Sequence, residues 1–118
     1  MPNTSRPNKA TDNMEVHASS GNIFADMGLP NAEERLAKAE VALRIEELIA
    51  DRKLPQAQAA ELMGLSQADM ADMVRGRLKG HTLERLFQCL TALDQDVEIV
   101  IRPKQDAARQ ARILVTHL

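Results

Sequence analysis

The chain has no tryptophan, no tyrosine and a single cysteine, Cys89, and its phenyl rings are limited to Phe24 and Phe87. A lone cysteine excludes an internal disulfide and suits a reducing compartment. With so few rings, the core must be assembled from Leu, Ile, Val, Ala and the six methionines. A core that small is expected to lean on a second subunit. No apolar run approaches the roughly 18 residues of a membrane span. The first residues are polar and lack the apolar stretch of a secretion signal, so the expected location is the cytoplasm. An excess of one charge is missing too: the net charge is −2, which excludes a strongly basic coat for nucleic acid. His17, His81 and His117 lie far apart and lack metal-ligand spacing. There is no Gly-rich phosphate loop and no nucleophile elbow. The carboxylates alternate with Lys and Arg at helical spacing, as solvated helix faces do. Neither enzyme chemistry nor a cofactor is expected.

Residues 1–20 are rich in Asn, Ser, Thr and Pro and are expected to form a disordered arm. Residues 21–96 read as the folded domain, and residues 97–118 as a C-terminal strand and tail that serves dimerisation. The domain opens on GNIFADMGLP, whose Ile23, Phe24, Met27 and Leu29 are too few to fold alone. They dock either on this chain's own helices or on another protein. Asn31, with Glu34 three residues on, reads as a capping box that opens a long helix ending near Arg52. Leu36, Ala39, Leu43, Ile45, Leu48 and Ile49 mark its expected apolar face. Two shorter helices follow, at roughly residues 56–63 and 67–75, and then a basic loop, RGRLKGH. Thr82 caps a further helix carrying a stripe of Leu83, Leu86, Phe87, Leu90 and Leu93.

The period then changes. Residues 97–102, VEIVIR, are β-branched and stop at Pro103, which predicts a short strand. A strand needs a neighbour. That neighbour is either residues 112–116, for which helix is nearly as good a reading, or a second subunit. The expected fold is therefore all-α: a bundle of four to five helices with a short C-terminal β-strand, paired within the chain or across a subunit interface.

Residues 54–76, LPQAQAAELMGLSQADMADMVRG, hold the densest information. Ala60 falls where the two short helices cross, so a larger side chain would push them apart. Gly64 comes four residues later, where the chain leaves the first helix through a left-handed conformation. Met70 points back into the angle, and Met63, Leu65 and Met73 complete the inner face. Ser66 caps the second helix, with Asp69 placed to return the bond. A two-helix unit of this shape lays its second helix in the major groove of DNA.

Residues 54–93 resemble the helix-turn-helix of the phage-repressor and Cro-like family, also called the xenobiotic-response-element (XRE) family. The wider arrangement is more particular. GNIFADMGLP, the NAEE helix, LPQAQAAELMGLSQ and LERLFQCLTALDQDVEIVIRP together resemble the short helix-turn-helix antitoxins of type II toxin–antitoxin operons. The resemblance implies a dimer that binds its own operator and sequesters a small toxin, a basic ribonuclease of the RelE/ParE-like superfamily. The acidic side chains of the long helix (Glu33, Glu34, Glu40, Glu46 and Glu47) suit such a partner, although Arg35, Lys38 and Arg44 among them also suit a solvated face. Pro55 departs from the family, which usually has a capping Ser, Thr or Asn there; proline still suits a helix start.

On this reading Gln67, Ala68, Ala71 and Asp72, on the outward side of the second helix beyond the Ser66 cap, reach base edges in double-stranded DNA. Gln56 offers its amide to a phosphate. Arg75, Arg77 and Lys79 set affinity and salt dependence through further phosphates. Asp69 and Asp72 stand awkwardly on a helix that approaches phosphates. With Glu61 they cancel the three cations and leave residues 54–80 neutral, so one copy binds weakly and a homodimer on two half-sites binds usefully. Three functions stay open: an autorepressing antitoxin, a stand-alone phage-derived repressor, and a protein-interaction module on the same fold.

Overall fold

A computed structural model of the chain describes residues 22–118. The arm expected over residues 1–20 lies outside the described residues. The regular structure is helical: α1 (Ile23–Asp26), α2 (Ala32–Asp51), α3 (Gln56–Met63), α4 (Gln67–Val74) and α5 (Leu83–Ala92). The described residues divide between two units at the boundary of Glu33 and Glu34.

In the first unit Asn22 is the organising side chain. Its Oδ1 accepts from the backbone N–H groups of Phe24 (2.9 Å) and Ala25 (3.2 Å), which caps the single turn of α1. Its Nδ2 donates to the Ala32 carbonyl and to Glu33 Oε2, each at 3.0 Å. Ile23 and Met27 remain exposed. Asn31 takes a φ of 55°, a left-handed conformation rather than the extended one of a capping residue. The expected Asn31–Glu34 capping box is therefore replaced. Glu34 pairs instead with Lys38 one turn on, at 3.6 Å.

The second unit is built around one apolar core. It gathers Val41, Ala42, Ile45 and Leu48 of α2, Ala59, Ala60 and Met63 of α3, and Met70 and Met73 of α4. Leu65, Leu86, Cys89 and Leu93 complete it. The buried face of α2 differs from the expected one: Ala37, Val41, Ala42, Ile45 and Leu48 face inward, while Leu43 is 58% exposed. Apolar residues occur nearly all round α2, so their spacing alone does not select the face. The stripe on α5 is as expected, with Leu86 and Leu93 fully buried and Leu83, Phe87 and Leu90 packed beside them. Cys89 joins that stripe, and burial pushes its thiol above the ordinary range against the opposing pull of Arg85.

Each helix of this unit ends by turning the chain through a left-handed residue. After α3, the N–H groups of Gly64 and Leu65 donate to the carbonyls of Glu61 (3.2 Å) and Ala60 (2.8 Å), with Gly64 at φ 72°. After α4, Gly76 and Arg77 donate to Met73 (3.1 Å) and Asp72 (2.8 Å), with Gly76 at φ 73°. These are paired 5→2 and 6→1 bonds of the Schellman type, which satisfy carbonyls the helix leaves unpaired. Lys53 and Asp94 make the same turn after α2 and α5 at φ 55° and 62°. Arg52 ties those two helix ends together. Its guanidinium donates to the Leu93 carbonyl and lies 3.9 Å from Asp94 Oδ2.

The C-terminal strand is not formed. Residues 97–102 carry no regular structure and residues 112–116 are neither strand nor helix. Residues 97–102 make no backbone hydrogen bond among the described residues. The physical reason is the missing partner. β-branched residues favour an extended chain, but a strand exists only when a second one takes its N–H and C=O groups.

Candidate nucleic-acid interface

Helices α3 and α4 meet across a short turn at Gly64, Leu65 and Ser66, with α5 packed against α3. The inner angle is filled by Ala60, Met63, Leu65, Met70 and Met73, all buried. Ala60 is 1% exposed, and enlarging a side chain in a site so closed costs about 1–3 kcal/mol. Ser66, in an extended conformation, accepts the Asp69 N–H on its Oγ at 3.0 Å. Such a cap is worth about 1 kcal/mol. Burial of Met70 and Met73 fixes the rotation of α4, and Gln67 and Ala68 consequently stand exposed in its first turn. Ala71 and Asp72, one turn on, are half-buried.

Gln56 is the first residue of α3 and is exposed. Pro55 before it makes no side-chain cap bond. Arg75, Arg77 and Lys79 lie exposed along the turn and loop that leave α4, and none forms an ion pair among the described residues. The loop is held from behind. Lys38 Nζ reaches the Leu78 carbonyl at 3.5 Å, and the His81 N–H donates to the same oxygen at 3.0 Å. The three cations are thus carried on a segment tied back to α4 by the Gly76 and Arg77 N–H groups and closed at Leu78 by His81 and Lys38.

The two awkward carboxylates of α4 both have partners. Asp69 does not return the capping bond of Ser66. Its Oδ2 instead accepts from Arg85 Nη2 of α5 at 3.3 Å. Asp72 Oδ2 lies 3.6 Å from Nε2 of His81, whose side chain is only 7% exposed. Asp69, Asp72 and His81 bring ligand-type atoms within 4.8 Å of one another, but the Arg85 guanidinium already supplies a cation to Asp69. Arg85, His81 and Lys38 are the residues that sequence reasoning missed. The two ionic contacts of α4 join positions 16 and 9 residues apart in different elements, and only the excess of acid on α4 hinted that such partners were needed. A cleft of about 420 Å³, lined by Leu54, Gln58, Glu61 and Leu62, carries none of these groups.

The helix-turn-helix domain family matches residues 23–102 of this sequence. The chain belongs to that family. A search of curated proteins finds no match. Among solved structures, one named "Putative XRE Family Transcriptional Regulator" is 42% identical, with a TM-score of 0.71. The match covers 75% of this chain and the whole of the other. The helix-turn-helix architecture of this chain is thereby placed among XRE-like folds. Among the described residues of this family member, no helix is long and apolar enough to cross a membrane.

Proposed function

We propose that the chain is a sequence-specific DNA-binding transcriptional regulator that acts as a homodimer on its operator. Family membership and the likeness to an XRE-family regulator support DNA-binding regulation. The observation that carries the reading is the presentation of α4: a Ser66-capped N-terminus with Gln67 and Ala68 exposed, and the opposite side locked by Met70 and Met73. A helix entering the major groove by that end offers Gln67 to adenine and Ala68 to a thymine methyl. Ala71 and Asp72 lie farther along the groove wall. Gln56 at the start of α3, and Arg75, Arg77 and Lys79 after α4, reach phosphates on either side.

The dimer is proposed through residues 97–101. Ile99, Val100 and Ile101 are 72%, 69% and 93% exposed, and their backbone groups make no backbone hydrogen bond among the described residues. Antiparallel pairing with the same segment of a second copy satisfies both needs. The two α4 helices must then lie about 34 Å apart to meet successive half-sites. The regulator is further proposed to be an autorepressing antitoxin. The acidic residues of α2 and the exposed Ile23 and Met27 offer surfaces for a basic toxin protein.

A gel-shift on the DNA upstream of its own coding sequence tests the reading, run with and without the product of the adjacent gene. A shift by the chain alone, altered by the neighbour's product, is the expected result. A shift indifferent to that product leaves a stand-alone repressor. No shift removes the DNA-binding reading and favours an interaction module.

A further inference from the structure

A carboxylate within reach of the phosphate rails repels them, and α4 carries two, Asp69 and Asp72. Both are half-buried and both face a basic group of the same unit. The two basic groups differ in kind. His81 is cationic only when protonated, whereas the Arg85 guanidinium is always charged. Arg85 holds Asp69 Oδ2 at 3.3 Å from the next helix, α5. Thr82 fixes the start of α5 by accepting the Arg85 N–H on its Oγ1 at 3.1 Å, so the base of the Arg85 side chain is anchored. Asp69 sits at the third position of α4, beside Gln67 and Ala68, and its backbone N–H is already engaged by Ser66. Without Arg85, its carboxylate would stand beside the residues proposed to read bases, and the basic group left within 4.8 Å of it would be His81, which already faces Asp72 at 3.6 Å.

We propose that Arg85 is a positioning residue for DNA recognition: it turns the Asp69 carboxylate toward α5 and cancels its charge, so that the N-terminal end of α4 approaches the duplex without repulsion. The inference rests on the DNA-binding reading above and adds to it a residue that need not touch DNA. The ion pair is partly exposed, and pairs of that kind add little to stability. Its consequence is therefore expected in binding rather than in folding.

The test uses the full chain and a duplex that the wild-type protein itself selects from a randomised 30-base-pair library. Binding is read by fluorescence anisotropy, and folding of each variant by its thermal melt. Arg85→Ala is expected to melt close to wild type and to bind about tenfold more weakly or worse, as follows from leaving a like charge at a charged interface. Arg85→Lys restores binding, because one N–H contact is enough. Arg85→Ala combined with Asp69→Asn also restores it. Arg85→Ala combined with Asp106→Asn, which returns the same net charge in the C-terminal tail, outside the helix-turn-helix, stays weak. Asp69→Asn alone binds at least as tightly as wild type and serves as the independent check should Arg85→Ala unfold.

Wild-type affinity in Arg85→Ala, failure of Asp69→Asn to rescue it, equal rescue by Asp106→Asn, or weakened binding by Asp69→Asn alone each overturns the inference. A wild-type chain that selects no sequence overturns the regulator reading, and this one with it. A wild type that selects a sequence while these variants misbehave overturns only the role of Arg85.

Discussion

At the scale of single residues, the exposed groups of the interface divide by what they can know of a sequence. An amide that pairs two ways with adenine carries information, whereas a guanidinium on a phosphate does not. Arg77→Ala is expected to weaken binding to many duplexes alike and to lower the slope of log affinity against log salt by about one. Gln67→Ala is expected to change which base is preferred while leaving that slope in place. A selection from randomised duplexes, repeated for both variants at several salt concentrations, checks the pair. Unchanged preference in Gln67→Ala means that α4 presents a different side to the groove. The exposed placement of both residues was legible in the sequence, because position after a cap and position after a helix end are local facts. Arg85 and His81 were not legible, since what matters about them is the carboxylate each one meets across a fold.

At the scale of elements, the helix-turn-helix was read almost to the residue, and α2 was read in its extent but only partly in its buried face, where Ile45 and Leu48 lie as expected. Gly64, Ser66 and Ala60 each impose a condition that few sequences meet: a left-handed φ, a side-chain cap, a close crossing. Conditions of that sort do not depend on the rest of the molecule. The inward side of α2 does, and Leu43 was placed inside although it lies outside. Gly64 therefore offers a clean test. A β-carbon added there would meet nothing within 4 Å, so Gly64→Ala is penalised by its φ of 72° alone. The expected loss is about 1–2 kcal/mol, read by urea denaturation with an unchanged slope. A loss much beyond that would mean that the turn is also a packing site.

At the scale of the whole molecule, the C-terminal segment separates what a sequence says from what one chain can do. The β-branched run predicted a strand over residues 97–102 that is not formed, because the ladder it anticipates needs a partner that the chain does not supply from residues 112–116. If that partner is a second copy, Ile99→Asp with Ile101→Asp is expected to give a monomer by analytical ultracentrifugation. Its melt should then lose any dependence on protein concentration, and its affinity for a two-half-site duplex should fall steeply. Retained dimers in that variant would move the interface elsewhere.

The angle between α3 and α4 has a chemical liability that follows from its lining. Three of the six sulfur-bearing methionine side chains, Met63, Met70 and Met73, meet there and are buried. Thioethers let an irregular gap close without strain, and folding shields them from peroxide. A chain oxidised before it folds would bring polar sulfoxides to a seam that has to be dry. Oxidative damage would then register first as a splayed reading unit, and methionine sulfoxide reductases would be needed to restore it.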